Sequence, residues 1–111
     1  MKVAIVGSRN LTVDDFDSYI PSEVTEIVSG GARGIDCCAR EYAINRGIPL
    51  KEFLPDYQKY GRKAPLLRNL QIIEYADFIL AFWDGKSHGT RFVIEQAKKQ
   101  GKKIRVFRAL Q

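Results

Sequence analysis

Short apolar runs recur along the chain and are separated by segments with helical spacing. The runs are rich in β-branched and aromatic residues, and most of them do not alternate with polar residues. This pattern is typical of strands that are buried on both faces of a sheet. It predicts five strands, at Lys2–Val6, Val24–Val28, Leu50–Leu54, Asp77–Trp83 and Lys103–Phe107.

Helical patterns lie between the predicted strands. Thr12 is the expected N-cap of a helix over Val13–Tyr19, with Asp15 at the capping-box spacing. The stretch from Pro55 to Ala64 has no clear periodicity and is a candidate lid or ligand-facing loop. Three further helices are indicated by apolar faces: Ile35, Ala39, Tyr42, Ala43 and Arg46, closed by Gly47; Leu66, Leu70 and Ile73; and Val93, Ile94 and Ala97, ending at Gly101.

The alternation of strands and helices predicts an α/β fold. Its parallel five-stranded sheet should be doubly wound, with right-handed crossovers and helices on both faces. The simplest strand order is 3-2-1-4-5, which places a ligand crevice between strands 1 and 4, beyond their carboxyl ends. A length of 111 residues favours one domain over residues 1–111.

Composition narrows the class of protein. The chain is 45% hydrophobic and 28% charged, so it can bury a core, and no apolar run approaches the ~20 residues of a membrane span. The N-terminal apolar stretch is too short for a signal peptide, so we expect a cytoplasmic protein with no membrane partner. The adjacent Cys37 and Cys38 fit no zinc spacing and are expected to be small apolar helix residues, so no metal is predicted.

Basic residues exceed acidic ones, giving a formal net charge of +5. Two interpretations stay open: a solvated face, or attraction to nucleic acid or another polyanion. Much of the excess lies near the C-terminus, at Lys98, Lys99, Lys102, Lys103, Arg105 and Arg108.

Glycine-containing loops follow three of the predicted strands. They are Gly7–Arg9 after strand 1, Ser29–Asp36 after strand 2 and Asp84–Thr90 after strand 4. Glycines permit tight turns, and backbone N–H groups at a helix start favour a phosphate. Since strands 2, 1 and 4 are neighbours in the predicted order, all three loops should line one anion-binding crevice.

Two common phosphate motifs are absent. A Walker loop needs a glycine five residues before Gly85, and Leu80 stands there instead. Strand 1 is followed by Gly7 alone, so the dinucleotide fingerprint is also missing. Both absences disfavour an ATPase and an ordinary dehydrogenase.

The combined motifs resemble the SLOG superfamily, and its small YspA/YpsA-related branch in particular. They are Gly7–Arg9, Ser29–Asp36, Arg68-Asn69, Ala76-Asp77 and the Gly85–Thr90 loop. The resemblance implies a Rossmann-like fold that binds nucleotides or nucleotide-derived ligands. Relatives include the Lonely Guy phosphoribohydrolases, which cleave an N-glycosidic bond, and the bacterial DNA-processing protein A, which binds single-stranded DNA.

Pattern and resemblance together predict a nucleotide-like small molecule as the ligand, with no cofactor required. Single-stranded nucleic acid is an alternative partner, and a homodimer is left open. Arg68 is also a catalytic candidate, together with His88 and Glu95. The predicted ligand-binding residues are Gly7, Ser8, Arg9, Ser29, Gly30, Gly31, Arg33, Gly34, Asp36, Arg68, Asn69, Asp84, Gly85, Ser87, Gly89 and Thr90.

The sequence favours binding over catalysis. In the Lonely Guy loop a glutamate follows the threonine by three residues, whereas here Val93 has that place and Glu95 lies about 200° further round the helix. The net positive charge is compatible with nucleic-acid binding, but we find no platform of interleaved aromatic and basic residues. We therefore expect a nucleotide-binding module, with N-glycosidic hydrolysis and single-stranded nucleic-acid binding as alternatives.

Overall fold

The structure, a computed structural model, describes residues 1–108. It has a five-stranded parallel sheet in the order β3-β2-β1-β4-β5, as predicted. The predicted domain also includes residues 109–111, which lie outside the described part. The strands are β1 (Lys2–Gly7), β2 (Glu26–Ser29), β3 (Leu50–Glu52), β4 (Phe78–Trp83) and β5 (Ile104–Arg108).

Four α-helices connect the strands. No helix within residues 1–108 has the length and apolar character needed to cross a membrane. The helices are α1 (Ile35–Arg46), α2 (Tyr57–Tyr60), α3 (Ala64–Tyr75) and α4 (His88–Lys99), with a 3-10 turn over Gly61–Lys63 between α2 and α3.

The central strands β1 and β4 run side by side and end together. Their register pairs Val3 with Phe78 and Gly7 with Phe82. From β1 the chain adds β2 and β3 on one side of the sheet, and then β4 and β5 on the other side. The crevice of a doubly wound sheet therefore lies between β1 and β4, beyond Gly7 and Trp83. The loops that follow both strands therefore meet at one place.

Two apolar cores lie on opposite faces of the sheet. On one face, α1 and the segment 11–20 cover Ile5 and Leu80, and Phe16 is 1% exposed there. On the other face, α3 and α4 pack on the sheet through Ile72 and Val93. Burial on both faces explains why most of the strands lack polar alternation.

The helix predicted over Val13–Tyr19 is wrong. This segment contains only a turn at residues 17–19. The Asp15 carboxylate accepts the Asp17 N–H at 2.9 Å, which is a local turn bond that competes with helical hydrogen bonds. Phe16 enters the core while its acidic neighbours reach across to α1, and these contacts hold the segment as an irregular connection.

The stretch Pro55–Ala64 is not irregular throughout, because it contains α2 and the 3-10 turn. Asp56 caps α2 by accepting the Lys59 N–H at 3.1 Å. The face predicted for α3 is also partly wrong, because Leu66 is 41% exposed. The helix buries Arg68 and Asn69 instead, and so carries polar side chains into the interior.

The adjacent cysteines lie on α1 without a disulfide. Cys38 is partly buried against the core of that face, as expected for a small apolar residue. Cys37, one position earlier on the same helix, is exposed.

Candidate functional site

A cavity of about 400 Å³ lies beyond the carboxyl ends of β1 and β4. We call it the main cavity. It is bounded by the β1, β2 and β4 loops, by the start of α4 and by α3. Its lining consists of Val6, Gly7, Arg9, Asn10, Ala32, Asp36, Pro65, Leu66, Arg68, Asn69, Ile72, Asp84, Ser87, Gly89, Thr90 and Val93.

Asp84 holds the β4–α4 loop in shape. Its Oδ1 accepts the N–H groups of Lys86 at 2.8 Å and Ser87 at 2.7 Å. The Asp84 N–H donates to Ser8 Oγ at 3.2 Å, which ties this loop to the β1 loop. The pKa of Asp84 is lowered, first by the Ser87 N–H and then by that of Lys86, so the carboxylate stays ionised in this role.

The loop presents the N-terminus of α4 to the main cavity. Ser87 is the N-cap, and its hydroxyl lies 3.3 Å from that of Thr90. Gly89 and Thr90 line the cavity in the first helical turn, where backbone N–H groups have no acceptor within the helix. The helix dipole adds positive potential here, so this is the backbone position best suited to an anion.

Side chains of the protein itself bond to part of the β2–α1 loop, whose role in holding a phosphate stays a prediction. Ser29 Oγ accepts the Gly31 N–H at 3.4 Å, and Asp36 Oδ2 accepts the Ala32 N–H at 3.1 Å. The protein's own side chains therefore already use two of the N–H groups that were expected to hold a phosphate.

Arg68 braces the same loop from α3. Its Nη1 donates to the Gly30 carbonyl at 2.6 Å, and its Nε donates to Asn69 Oδ1 at 2.8 Å. A Cβ on Gly30 would lie 2.5 Å from Arg68 Nη1, so only glycine permits this approach. Burial lowers the pKa of Arg68, although the nearby Asp36 carboxylate opposes the shift.

Two polar atoms are available to a ligand inside the main cavity. Asp36 is 8% and Asn69 9% exposed, yet every fully buried side-chain polar atom within residues 1–108 has a hydrogen-bond partner. Asp36 Oδ2 and Asn69 Oδ1 are the bonded atoms, so Asp36 Oδ1 and Asn69 Nδ2 are the accessible ones. Burial raises the pKa of Asp36, mainly by desolvation. The main cavity thus has one hydrogen-bond acceptor, Asp36 Oδ1, and one donor, Asn69 Nδ2, for a ligand.

A second cavity of about 280 Å³ adjoins the first on the side of the β2 loop. Arg9, Ala32 and Arg68 line both cavities, whereas Arg33 lines the second alone. Arg9 and Arg33 are exposed, and within residues 1–108 neither side chain makes a hydrogen bond or ion pair. The second cavity is lined by Arg9, Gly30, Gly31, Ala32, Arg33, Pro55, Tyr57 and Arg68.

The structure brings most of the predicted binding residues to these two cavities. Gly7, Arg9, Asp36, Arg68, Asn69, Asp84, Ser87, Gly89 and Thr90 line the main cavity, and Gly30, Gly31 and Arg33 line the second.

Four predicted binding residues line neither cavity within residues 1–108. Ser8 and Ser29 are buried and accept loop N–H groups. Gly34 has φ 69° and lies against the Arg9 carbonyl, and Gly85 lies under the Arg108 guanidinium. These four residues contact other parts of the loops, and their direct contact with a ligand stays a prediction.

The catalytic candidates other than Arg68 lie elsewhere. His88 and Glu95 line a separate, open depression on the outer side of α4. Glu95 is paired with Arg91, with 3.1 Å between Oε1 and Nε. The helix phase that placed Glu95 away from the loop threonine in sequence also turns it away from the main cavity in space.

Several lining residues were not anticipated. Asn10 hydrogen-bonds to Asp84, and Pro65 and Leu66 begin α3 at the cavity wall. Tyr57 lines the second cavity and belongs to the stretch Pro55–Ala64, which the sequence indicated as a candidate ligand-facing loop. Its segment, Tyr57–Lys63, contains both aromatic and basic residues, a local signal that our prediction of the site did not use.

The sheet order defines a doubly wound, Rossmann-like α/β protein, and the main cavity lies at its switch point. Within that class, the chain belongs to the YspA, cpYpsA-related SLOG family, whose model matches residues 1–60. The match includes the β1 and β2 loops, whereas Arg68-Asn69 and the Gly85–Thr90 loop lie beyond it.

The chain is also similar to a phage protein. It is 38% identical over 81 residues to the Gene 61 protein of Mycobacterium phage D29. The alignment covers 68% of this chain and 65% of the phage protein, so the chain spans about two thirds of its relative's length. No solved structure matches the chain significantly.

Proposed function

We propose that this protein binds a nucleotide or nucleotide-derived ligand in the main cavity. The observation that carries the proposal is the convergence of the α4 N-terminus, the unpaired Arg9 and the accessible atoms of Asp36 and Asn69 on one cavity. Its volume of about 400 Å³ lies within the range of small-molecule sites. Family membership supports the same class of ligand.

The charges suggest how such a ligand is oriented. A phosphate is favoured at Gly89 and Thr90, where N–H groups and the helix dipole meet, with Arg9 at the rim. It is disfavoured beside the Asp36 carboxylate. Because an ionised carboxylate only accepts hydrogen bonds, Asp36 Oδ1 suits a ribose hydroxyl or a base N–H group. Asn69 Nδ2 supplies a donor beside it.

A thermal-shift experiment tests the proposal. We expect adenosine 5′-monophosphate, or another nucleotide of a panel with different bases, to raise the melting temperature of the wild-type protein. A ligand at 100 times its Kd stabilises by about 2.7 kcal/mol, which corresponds to roughly 10 °C for a domain of this size. Arg9→Ala should lose most of this shift, because it removes the guanidinium at the rim.

Arg105→Ala is the matched control, since Arg105 is an exposed arginine on β5 and lines neither cavity. This variant should keep the full nucleotide-induced shift. If no nucleotide in the panel shifts the wild-type melting temperature at millimolar concentration, the proposal is wrong.

A further inference from the structure

The main and second cavities adjoin each other, because Arg9, Ala32 and Arg68 line both. Arg68 is fixed by its bonds to Gly30 and Asn69, whereas Arg9 is exposed and unpaired. A ligand that extends from the main cavity toward the second would therefore pass these two guanidinium groups.

The second cavity combines two recognition groups. Arg9 and Arg33 line it, and neither guanidinium has a hydrogen bond or ion pair among residues 1–108. Tyr57 is 56% exposed, and within residues 1–108 its ring makes no contact with another ring or with a cation. An exposed aromatic face beside two free guanidinium groups is what a nucleobase with an attached phosphate requires.

Backbone geometry places Tyr57 and the β2–α1 loop on the two sides of the second cavity. Gly31 has φ 70°, and a Cβ there would lie 2.5 Å from Leu54 Cδ2. Tyr57 is held at the start of α2, whose N-cap Asp56 accepts the Lys59 N–H. The ring is thus positioned by a capped helical turn and is not on an unstructured loop. Its hydroxyl lies near enough to Arg68 to influence the pKa of that guanidinium.

We infer that the second cavity is a subsite for a second nucleotide unit, with Tyr57 stacking on its base and Arg9 and Arg33 contacting the phosphate that links the two units. The inference rests on the proposed function, because it takes the first unit to occupy the main cavity. It makes the preferred ligand longer than a mononucleotide.

The neighbouring Tyr60 marks where this surface ends. Tyr60 is 39% exposed and lines a different depression, between α2 and α3. Lys59 Nζ lies 5.2 Å from the centre of its ring, so that ring already has a cation partner. One free aromatic ring beside the main cavity corresponds to one additional base.

Calorimetric titration with two probes tests the subsite. Adenosine 5′-monophosphate fills only the main cavity, whereas the 5′-phosphorylated dinucleotide pApA reaches both. We expect pApA to bind wild type more tightly than the mononucleotide does. Tyr57→Ala should weaken pApA about tenfold or more, the usual effect of losing one stacked base, and leave mononucleotide affinity within about twofold.

The controls separate this subsite from the main one. Arg33→Ala should also weaken pApA selectively, since Arg33 lines only the second cavity, and Tyr60→Ala should change neither affinity. The octanucleotide p(A)8 distinguishes the source of the second unit. If p(A)8 binds more tightly than pApA and this gain depends on Tyr57, the second unit belongs to a nucleic-acid strand. If the two probes bind with equal affinity, the second unit belongs to a molecule the size of a dinucleotide.

Failure of this inference differs from failure of the proposed function. If the mononucleotide binds but pApA binds no more tightly, or if Tyr57→Ala weakens both probes equally, the subsite is wrong while the main site stands. If neither probe binds the wild-type protein, the proposed function itself is wrong.

Discussion

Arg68 and Asp36 lie close together inside the protein, and each has a hydrogen bond to the loop between β2 and α1. Arg68 donates to the Gly30 carbonyl, and Asp36 accepts the Ala32 N–H. Ionised groups are costly to bury without such partners. The pair therefore fixes the loop from two sides, and Asp36 uses one N–H group that would otherwise be free for a ligand.

At this scale we predict that Asp36→Asn changes how stability depends on pH. The folded pKa of Asp36 lies above its ordinary value of 3.8 because burial disfavours the ionised form. The folded state then binds the proton more tightly, so this group makes stability fall as pH rises from about 4 through the folded pKa. Asparagine removes the titration and keeps an acceptor for the Ala32 N–H.

Urea unfolding between pH 4 and pH 8 measures this effect. The free energy of unfolding of Asp36→Asn, relative to wild type, should increase as pH rises. Asp14→Asn is the matched control, since Asp14 is exposed. A relative stability of Asp36→Asn that falls with rising pH would contradict the burial argument.

Among the elements, the segment 11–20 shows why the predicted helix does not form. Its acidic residues contact α1: the Tyr42 hydroxyl donates to Asp17 Oδ1 at 2.7 Å, and Arg46 Nη2 donates to Asp17 Oδ2 at 2.6 Å. Phe16 meets Tyr42 edge to face with ring centres 5.6 Å apart. Contacts distant in sequence thus outweigh the local capping pattern at Thr12.

Tyr42→Phe tests this attachment. At neutral pH the loss of one hydrogen bond should cost about 0.5–1.5 kcal/mol of unfolding free energy. Burial, with help from Asp17, raises the pKa of Tyr42 to about 12 from 10.0. Wild-type stability should therefore decline between pH 10 and pH 12 as the unfolded phenol ionises first, and the variant should lack that contribution.

Tyr19→Phe provides the comparison for this prediction. Within residues 1–108 the Tyr19 hydroxyl has no hydrogen bond, and its ring packs on Phe82 and Phe107. This variant should change the unfolding free energy by less than Tyr42→Phe at neutral pH. Equal effects of the two variants would show that the bond to Asp17 contributes nothing.

At the scale of the whole molecule, a single sheet lies between two apolar cores and contributes side chains to each of them. Since β1 and β4 contribute residues to each core, loss of packing on one face removes support from strands that the other face also needs. The same arrangement builds the main cavity from both halves of the chain. The β1 and β2 loops come from the part that the family model matches, and α3 and α4 from the part beyond it.

We therefore predict a single cooperative unfolding transition. Phe16→Ala on one face should cost about 3–5 kcal/mol and Ile72→Ala on the other about 2–5 kcal/mol, because both side chains are almost fully buried. Far-ultraviolet circular dichroism and the fluorescence of Trp83 should shift together in each variant. Separate midpoints for the two probes would contradict one cooperative domain.

The sequence by itself determined the fold. Apolar runs and helical spacings are local signals, and parallel connections permit few strand orders, so the sheet and the position of its crevice could be predicted. The sequence likewise indicated that the loops after β1, β2 and β4 converge there. Family motifs added Arg68 and Asn69, whose positions on α3 carry no local signal of their own.

Only the tertiary structure decided which groups in those loops remain free. Asp36 accepts the Ala32 N–H and Ser29 accepts the Gly31 N–H in the loop that had looked like a phosphate cradle, whereas Gly89 and Thr90 at the start of α4 line the main cavity. Arg33 and Tyr57 meet in the second cavity, although they lie far apart in sequence. The bonds of Ser29 and Asp36 are local, but the bond from Arg68 to the Gly30 carbonyl joins residues distant in sequence. Such long-range contacts depend on the packing of the whole chain, and no local pattern encodes them.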